Sequence, residues 1–242
     1  EGSYANGTFD SNTGWNKASS NDSSAQSWMW KRHAGFDVVT YVADGVAGLA
    51  IPHNLSKTPE MMWIKRRDGS ADWAVYHKGL NNGTNPYTKY LTLNSTSAEQ
   101  STGTALWNST MPTATHFTVG NYSDVNNTSG NDYIAMLFAS VDGISKCGYY
   151  DGSASEVTIT TGFQPRFVII KETTTSGYPW IALDTTRGWG SGNDQWLQLN
   201  ATDAQVSFDQ GAPTSTGFTV PAGSQSIYVN AANRKYIYYA HA

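Results

Sequence analysis

Aromatic side chains set in polar loops are the residues of this chain best suited to chemistry. Sugar binding needs a flat aromatic face that stacks on the sugar ring, with amide, carboxylate or cationic groups beside it for the hydroxyls. The segment Thr186–Asp194 carries a tryptophan, an arginine and an aspartate in one glycine-rich loop. Loops on a rigid scaffold are the usual place for recognition. The predicted glycan contacts are Trp189, Arg187, Asp194, Tyr87, Tyr178 and Trp15.

Metal binding is a weaker interpretation of the polar loops. The segment Asn121–Asn127 has one carboxylate, Asp124, among amides, whereas calcium takes several oxygen ligands. Asn126 aligns with Asn230 further along the chain, which favours a role in a turn, because asparagine bonds its own main chain readily. The 5 histidines show no ligand spacing. We therefore predict no metal and no other cofactor.

The chain contains an internal repeat, whose two similar copies are residues 41–139 and 149–242. A repeated unit of this size is a domain rather than a solenoid repeat. Positions that match between the two copies are expected to maintain the fold, so unmatched positions are the place to look for function. The clearest matched segments are Pro59–Lys65 with Pro165–Lys171, Lys89–Asn94 with Gln195–Asn200, and Thr113–Val119 with Thr214–Val220.

Short β-branched and aromatic runs separated by Gly, Asn, Asp and Pro clusters predict an all-β protein. We predict two tandem homologous antiparallel β-sandwich domains, at 35–143 and 144–242, after an extended N-terminal arm at 1–34. Residues 140–148 are expected to link the copies, and 95–100 and 201–205 to form single helical turns. Matched aromatic pairs are assigned to the cores: Trp73 with Trp180, Tyr90 with Trp196, and Trp107 with Phe208.

Composition narrows the classes of function. Charged residues make up 14% of the chain and the net charge is −4, which argues against nucleic-acid binding, where a basic face is expected. The sequence has no apolar run long enough for a membrane helix and no signal peptide. The single cysteine, Cys147, cannot form an internal disulfide and is expected to be a buried, inert thiol. Because the chain starts at Glu1, we expect it to be a piece of a longer protein.

Catalysis has little support in the sequence. A glycan hydrolase needs two carboxylates that face each other across the scissile bond, and spacing alone identifies no such pair. His77 and Asp184 fall at corresponding places in different copies, which separates them. There is neither a nucleophile elbow nor a phosphate-binding glycine motif. We therefore predict a non-enzymatic protein.

Several motifs in order resemble a known family. These are Trp28–Tyr41, Ile51–Leu55, Thr58–Met62 and Leu137–Lys146. Together they resemble the repeated β domain of tail-fibre and other virion structural proteins of tailed bacteriophages, often marine. The resemblance implies a component of the virion surface, made in the host cytoplasm, that contacts other virion chains and a bacterial host. It implies a homotrimer as one candidate assembly and no catalytic residues.

Three hypotheses of function follow from the sequence. The first is a tail-fibre or virion surface module that serves assembly and adheres to host glycans, without nucleic-acid binding or membrane insertion. The second is a purely structural or decoration protein, whose loop aromatics bind other virion chains. The third is a capsule-degrading enzyme, which requires a cleft with two close carboxylates whose pKa values are raised or split.

Overall fold

The computed structural model describes residues 29–32, 35–101, 103–222 and 227–242. Arg32–Ala242 form one compact unit. Most of the predicted arm, together with Trp15, lies outside the described residues. None of the helices in the described part is long and apolar enough to cross a membrane.

The described residues of the first half form eight strands. They are β1 Phe36–Val42, β2 Leu49–Pro52, β3 Met61–Arg66, β4 Ala74–His77, β5 Lys89–Thr92, β6 Gln100–Ser101, β7 His116–Val119 and β8 Asp132–Phe138.

The second half, where the structure describes it, forms nine strands. They are β9 Ser145–Asp151, β10 Val157–Thr160, β11 Phe167–Glu172, β12 Trp180–Asp184, β13 Asp194–Gln198, β14 Val206–Phe208, β15 Pro213–Thr214, β16 Gly217–Val220 and β17 Lys235–His241. The helices of the described residues are three single 3₁₀ turns, Leu80–Gly83, Pro86–Thr88 and Thr185–Arg187. The predicted helical turns at 95–100 and 201–205 are therefore wrong. The predicted linker is too long, because β9 already begins at Ser145.

The all-β prediction is confirmed, and the strands form several antiparallel sheets. One six-stranded sheet has the order β1-β8-β3-β4-β5-β6, and the other, read from its β9 edge, has the order β9-β17-β11-β12-β13-β14. Two small sheets accompany them, β2-β7 and β10-β16-β15. Each strand of the first large sheet thus has a counterpart at the same place in the second.

Each large sheet packs one of its faces against a small sheet. In the first half, Met62, Tyr76 and Leu137 share a buried cluster with Phe117 of β7. In the second, Val168, Leu183 and Tyr238 share one with Phe218 of β16. Alternate residues of a strand point to opposite faces, so a strand in the middle of such a stack is apolar on both sides. This is why Phe167–Ile170 of β11 are apolar and buried on both faces.

Equivalent side chains make equivalent bonds in the two halves. Tyr41 stacks on Tyr133 at 5.3 Å and its hydroxyl donates to the Val125 carbonyl at 2.7 Å. Tyr150 stacks on Tyr236 at 5.1 Å and donates to the Val229 carbonyl at 2.6 Å. The backbone N–H of Trp73 donates a hydrogen bond to the side-chain oxygen of Asn94 at 3.0 Å. In the second half, the backbone N–H of Trp180 donates to the side-chain oxygen of Asn200 at 2.7 Å. These bonds anchor the same turns twice.

One predicted core pair is wrong. Trp107 is buried, and its indole N–H donates to the Lys89 carbonyl at 2.9 Å. Phe208 lies instead on the edge strand β14, opposite Asp194, with 39% of its surface exposed. Both members of the predicted core pair Tyr90 and Trp196 are buried. In the pair Trp73 and Trp180, Trp180 is buried and Trp73 is half-buried.

The remaining faces of the two large sheets pack against each other. Phe138 of β8 contacts Tyr239 of β17, with ring centroids 4.9 Å apart, and Trp63 lies against Phe138 at the same centroid distance. Cys147 is fully buried on β9, and burial raises the pKa of its thiol well above the ordinary value. The prediction of a buried thiol is therefore confirmed.

Hydrogen bonds also cross this interface between the sheets. The indole N–H of Trp180 donates to the Thr92 carbonyl at 3.0 Å. Nδ1 of His77 accepts the Gly79 N–H at 3.0 Å, which leaves Nε2 as the protonated nitrogen that donates to the Tyr238 carbonyl at 3.2 Å. Burial lowers the pKa of His77 to about 3, so the ring is neutral at pH 7.

The buried His77 makes stability depend on pH. Its pKa of about 3 lies below the usual 6.5 of the unfolded chain, so unfolding takes up a proton below pH 6.5. The free energy of unfolding should therefore fall as the pH drops from 6.5 towards 3, by up to about 1.4 kcal/mol per pH unit from this group.

A His77→Gln variant isolates that contribution, since glutamine can accept and donate at the same places without titrating. We expect the difference in free energy of unfolding between the protein and this variant, measured by urea titration, to shrink steadily from pH 6 to pH 4. A difference that is constant across this range would contradict the assignment.

Candidate functional site

The loop predicted to bind glycan begins with a capped turn. The Asp184 carboxylate accepts the backbone N–H of Arg187 at 2.9 Å and so closes the 3₁₀ turn Thr185–Arg187. Gly188 follows with φ 101°, a left-handed conformation that favours glycine. This reversal directs Trp189 back towards the sheets.

Trp189 lies inside the second core and not on the loop surface. Its side chain is 3% exposed, and its ring packs edge-on against Phe218 with centroids 6.0 Å apart. Its indole N–H has no hydrogen-bond partner among the described residues. The premise that Trp189 presents an exposed ring is wrong, because the turn at Gly188 folds it inward.

Asp194 and Arg187 hold the loop from within. The buried Asp194 carboxylate accepts the backbone N–H groups of Gly190 at 2.8 Å and Gln210 at 2.7 Å. Burial outweighs these bonds and raises the pKa of Asp194 to about 6. Arg187 donates to the side-chain carbonyl of Gln205, and its Nε lies 3.9 Å from the Asp184 carboxylate. Both side chains thus position the loop rather than extend from it.

The outer surface of this loop borders a pocket of about 200 Å³. Gly190, Ser191 and Gly192 form one wall, and Glu156 and Asp209 add two carboxylates. Trp189, Arg187 and Asp194 are not among its lining residues.

The other predicted contacts lie in different places. Tyr87 sits in the 3₁₀ turn Pro86–Thr88, where it is half-buried against the first core. Tyr178 lies just before β12 and is half-buried. The predicted contacts that lie within the described ranges are therefore not brought together into one site.

Tyr178 belongs to a group of aromatic rings with a cation, here called the Tyr178 cluster. The guanidinium carbon of Arg234 lies 4.0 Å from the centre of the Tyr178 ring, a cation–π arrangement. Tyr228 packs edge-on against Tyr178 at 6.1 Å, and Trp196 lies 5.6 Å from Tyr228. Tyr228 and Arg234 are half-buried, whereas Trp196 is buried.

Two donors in the Tyr178 cluster lack acceptors. Nε1 of Trp196 and Nη1 of Arg234 are both buried without a hydrogen-bond partner among the described residues. A buried donor left unpaired costs about 1–3 kcal/mol, so most such groups in folded proteins have a partner.

The corresponding place in the first half carries an acid at one of these aromatic positions. Asp124 occupies the position of Tyr228, next to the matched pair Val125 and Val229. The backbone N–H of Asp72 donates to the Asp124 carboxylate at 3.4 Å, and burial, with a smaller contribution from the charge of Asp72, raises the pKa of Asp124. Sequence reasoning did not identify Asp72 and Asp124 as a pair, and it did not single out Tyr228 or Arg234. The mismatch between the copies at these positions was the available signal.

The asparagine predicted to form a turn does so. The Asn126 side chain accepts the backbone N–H groups of Asp44 and Gly45 and donates to the Val46 carbonyl at 2.8 Å. Asn230 accepts the Ser153 N–H at 2.7 Å in the same place of the second half. Across the described ranges, no group of three or more His, Cys, Asp or Glu side chains is arranged to hold a metal ion.

The burial of Trp189 predicts a large loss of stability for Trp189→Ala. Removing a buried tryptophan ring should lower the free energy of unfolding by about 3–5 kcal/mol. Phe208→Ala, at an exposed aromatic residue of the same half of the chain, is the matched control and should change it by about 0.5 kcal/mol or less. Equal effects in urea denaturation would show that Trp189 is not part of the core.

Comparison with known proteins gives a family without an assigned activity. The model of a domain of unknown function, DUF7483, matches residues 4–242. Neither the curated proteins nor the solved structures include a match to the chain. Because the family model covers nearly the whole sequence, this chain belongs to the DUF7483 family.

Proposed function

We propose that this chain is a non-enzymatic module of a tailed-phage tail fibre or virion surface, which serves assembly and adheres to glycans of the bacterial host. The phage assignment is supported by the motifs quoted above, which resemble virion structural proteins. The adhesion assignment is supported by the Tyr178 cluster, and above all by the half-buried Tyr178 ring with the Arg234 guanidinium against its face.

The chemistry of the cluster suits a sugar. Hydrogens on the apolar face of a sugar ring pack against an aromatic ring, while its hydroxyl oxygens accept hydrogen bonds. Tyr178 and Tyr228 supply partly exposed rings, and Arg234 supplies a cation beside them. Tyrosine combines an apolar ring with a polar hydroxyl group, so it suits sites that are partly buried and partly exposed to water.

We further propose that the chain consists of two tandem homologous β-sandwich domains, at 35–143 and 144–242, after an arm at 1–34. The same strand order in the two large sheets supports this division, as do the matched tyrosine stacks. The two domains would share the same arrangement of strands and differ in the side chains on their surfaces.

The proposed setting is the virion surface, after synthesis in the host cytoplasm. Other virion chains are the expected partners, and a homotrimer is one assembly that would help adhesion. Several weak sugar sites on one particle act together, which raises the overall affinity without new contacts. The proposal involves no cofactor, no nucleic acid and no insertion into a membrane.

One observation favours a second candidate, a capsule-degrading enzyme. Asp72 and Asp124 lie close together, and the pKa of Asp124 is raised mainly by burial. A general acid for glycoside cleavage needs a raised pKa beside a second carboxylate. The purely structural alternative instead predicts that the chain binds no glycan.

Tyr178→Ala tests the adhesion proposal. Chromatography over immobilised bacterial surface polysaccharides should retain the unmodified chain, whereas the variant should lose about tenfold in affinity, equivalent to about 1.4 kcal/mol. Tyr122→Ala is the matched control, because Tyr122 is an exposed aromatic of the first half and should not affect retention. Thermal unfolding of both variants verifies that they are folded.

Released reducing ends are measured in the same fractions. Unchanged retention of Tyr178→Ala would contradict the cluster as the binding site. Absence of retention by the folded, unmodified chain would favour the structural alternative. Release of reducing ends that Asp124→Asn abolishes would favour the enzyme.

A further inference from the structure

A second polar pocket lies between the two halves of the molecule. Its volume is about 350 Å³, within the range of roughly 300–1,000 Å³ typical of small-molecule sites. Asn82, Lys89 and Glu99 of the first half form one wall. This pocket is separate in its residues from the Tyr178 cluster, and none of the predicted glycan contacts lines it.

The second half supplies the opposite wall. Its lining residues are Thr173, Thr174, Asn233 and Lys235. Hydroxyl, amide and ammonium groups therefore face one carboxylate across the pocket. The lining named for the described residues contains no aromatic ring, so recognition here must depend on hydrogen bonds and charge.

Backbone hydrogen bonds fix the distance between the walls. The Glu99 N–H donates to the Thr173 carbonyl at 2.9 Å, and the Gly177 N–H donates to the Thr96 carbonyl at 2.9 Å. The Ala98 N–H donates to the Ser176 hydroxyl at 3.1 Å. Because both walls are already held, a ligand would not have to order them, and this favours binding.

The two charged groups of the first wall, on Lys89 and Glu99, can still form hydrogen bonds with a ligand. Nζ of Lys89 is 3.9 Å from a Glu99 carboxylate oxygen, beyond hydrogen-bond length. The other Glu99 oxygen accepts the Asn81 N–H at 2.9 Å, so the carboxylate can still accept from a ligand hydroxyl. Lys235 differs, because it donates to Asp151 at 2.5 Å.

We propose that this pocket binds a sugar unit that carries a carboxylate. The sugar carboxylate accepts from the Lys89 ammonium group, a ring hydroxyl donates to Glu99, and the amides of Asn82 and Asn233 bond further hydroxyls. The choice of a saccharide rests on the proposed adhesion function, whereas the choice of an acidic unit rests on the pocket itself. The site would make each chain bivalent for an acidic polysaccharide.

Lys89→Met tests the proposal, because methionine keeps the length of the side chain and removes its charge. The probes are trigalacturonate and its uncharged counterpart, α-1,4-linked galactotriose, titrated calorimetrically at low salt. We expect the variant to bind trigalacturonate at least tenfold more weakly than the unmodified chain. Galactotriose should bind the two proteins equally. Lys57→Met, at an exposed lysine outside the pocket, is the matched control and should bind like the unmodified chain.

Two results would overturn the inference. One is equal affinity of the Lys89→Met variant and the unmodified chain for trigalacturonate. The other is failure of the unmodified chain to bind trigalacturonate at millimolar concentration. Retention on the polysaccharide columns is read separately with Tyr178→Ala, so either result leaves the adhesion proposal standing on its own test. Loss of retention with Tyr178→Ala and loss of trigalacturonate affinity with Lys89→Met would support both sites.

Discussion

The buried contact between the two six-stranded sheets is the constraint on which the rest of the structure depends. Each sheet has a small sheet over one face, so its other apolar face needs a cover, and the other half of the chain provides it. Phe138 against Tyr239 supplies apolar contact, while His77 and the Trp180 indole bond carbonyl groups across the boundary. These polar groups have no access to water, so they need one another.

Because the two halves share the same strand order and the same turns, only residues outside these conserved contacts can differ between them. The stacked tyrosines and the turn asparagines recur in both halves because their bonds hold the same turns. Next to one such turn, Asp124 of the first half is replaced by Tyr228 of the second. An acidic group and an aromatic cluster thus occupy equivalent ends of the two sheets. Duplication followed by divergence at such places is a simple route to two different surfaces on one scaffold.

The sequence predicted the strands well where side chains alternate or are uniformly apolar, as in Met61–Lys65 and its match Phe167–Lys171. It missed β9, because Ser145–Asp151 contains Lys, Gly and Asp and resembles a linker. Pairing with β17 and cover from the first half make this segment a strand, and both are long-range effects. The sequence likewise could not show that Gly188 turns Trp189 inward, since this depends on a backbone angle. Tyr178 was identified from its polar surroundings, but its partners Arg234 and Tyr228 are distant in sequence and needed the fold.

The shared interface between the two large sheets should join the two halves of the molecule into one cooperative unit. Differential scanning calorimetry of the purified chain tests this most directly. We predict a single transition whose calorimetric enthalpy equals the van't Hoff enthalpy, as expected for two-state unfolding. Two resolved transitions, or a calorimetric enthalpy about twice the van't Hoff value, would show that the halves unfold independently and that the interface does not hold them together.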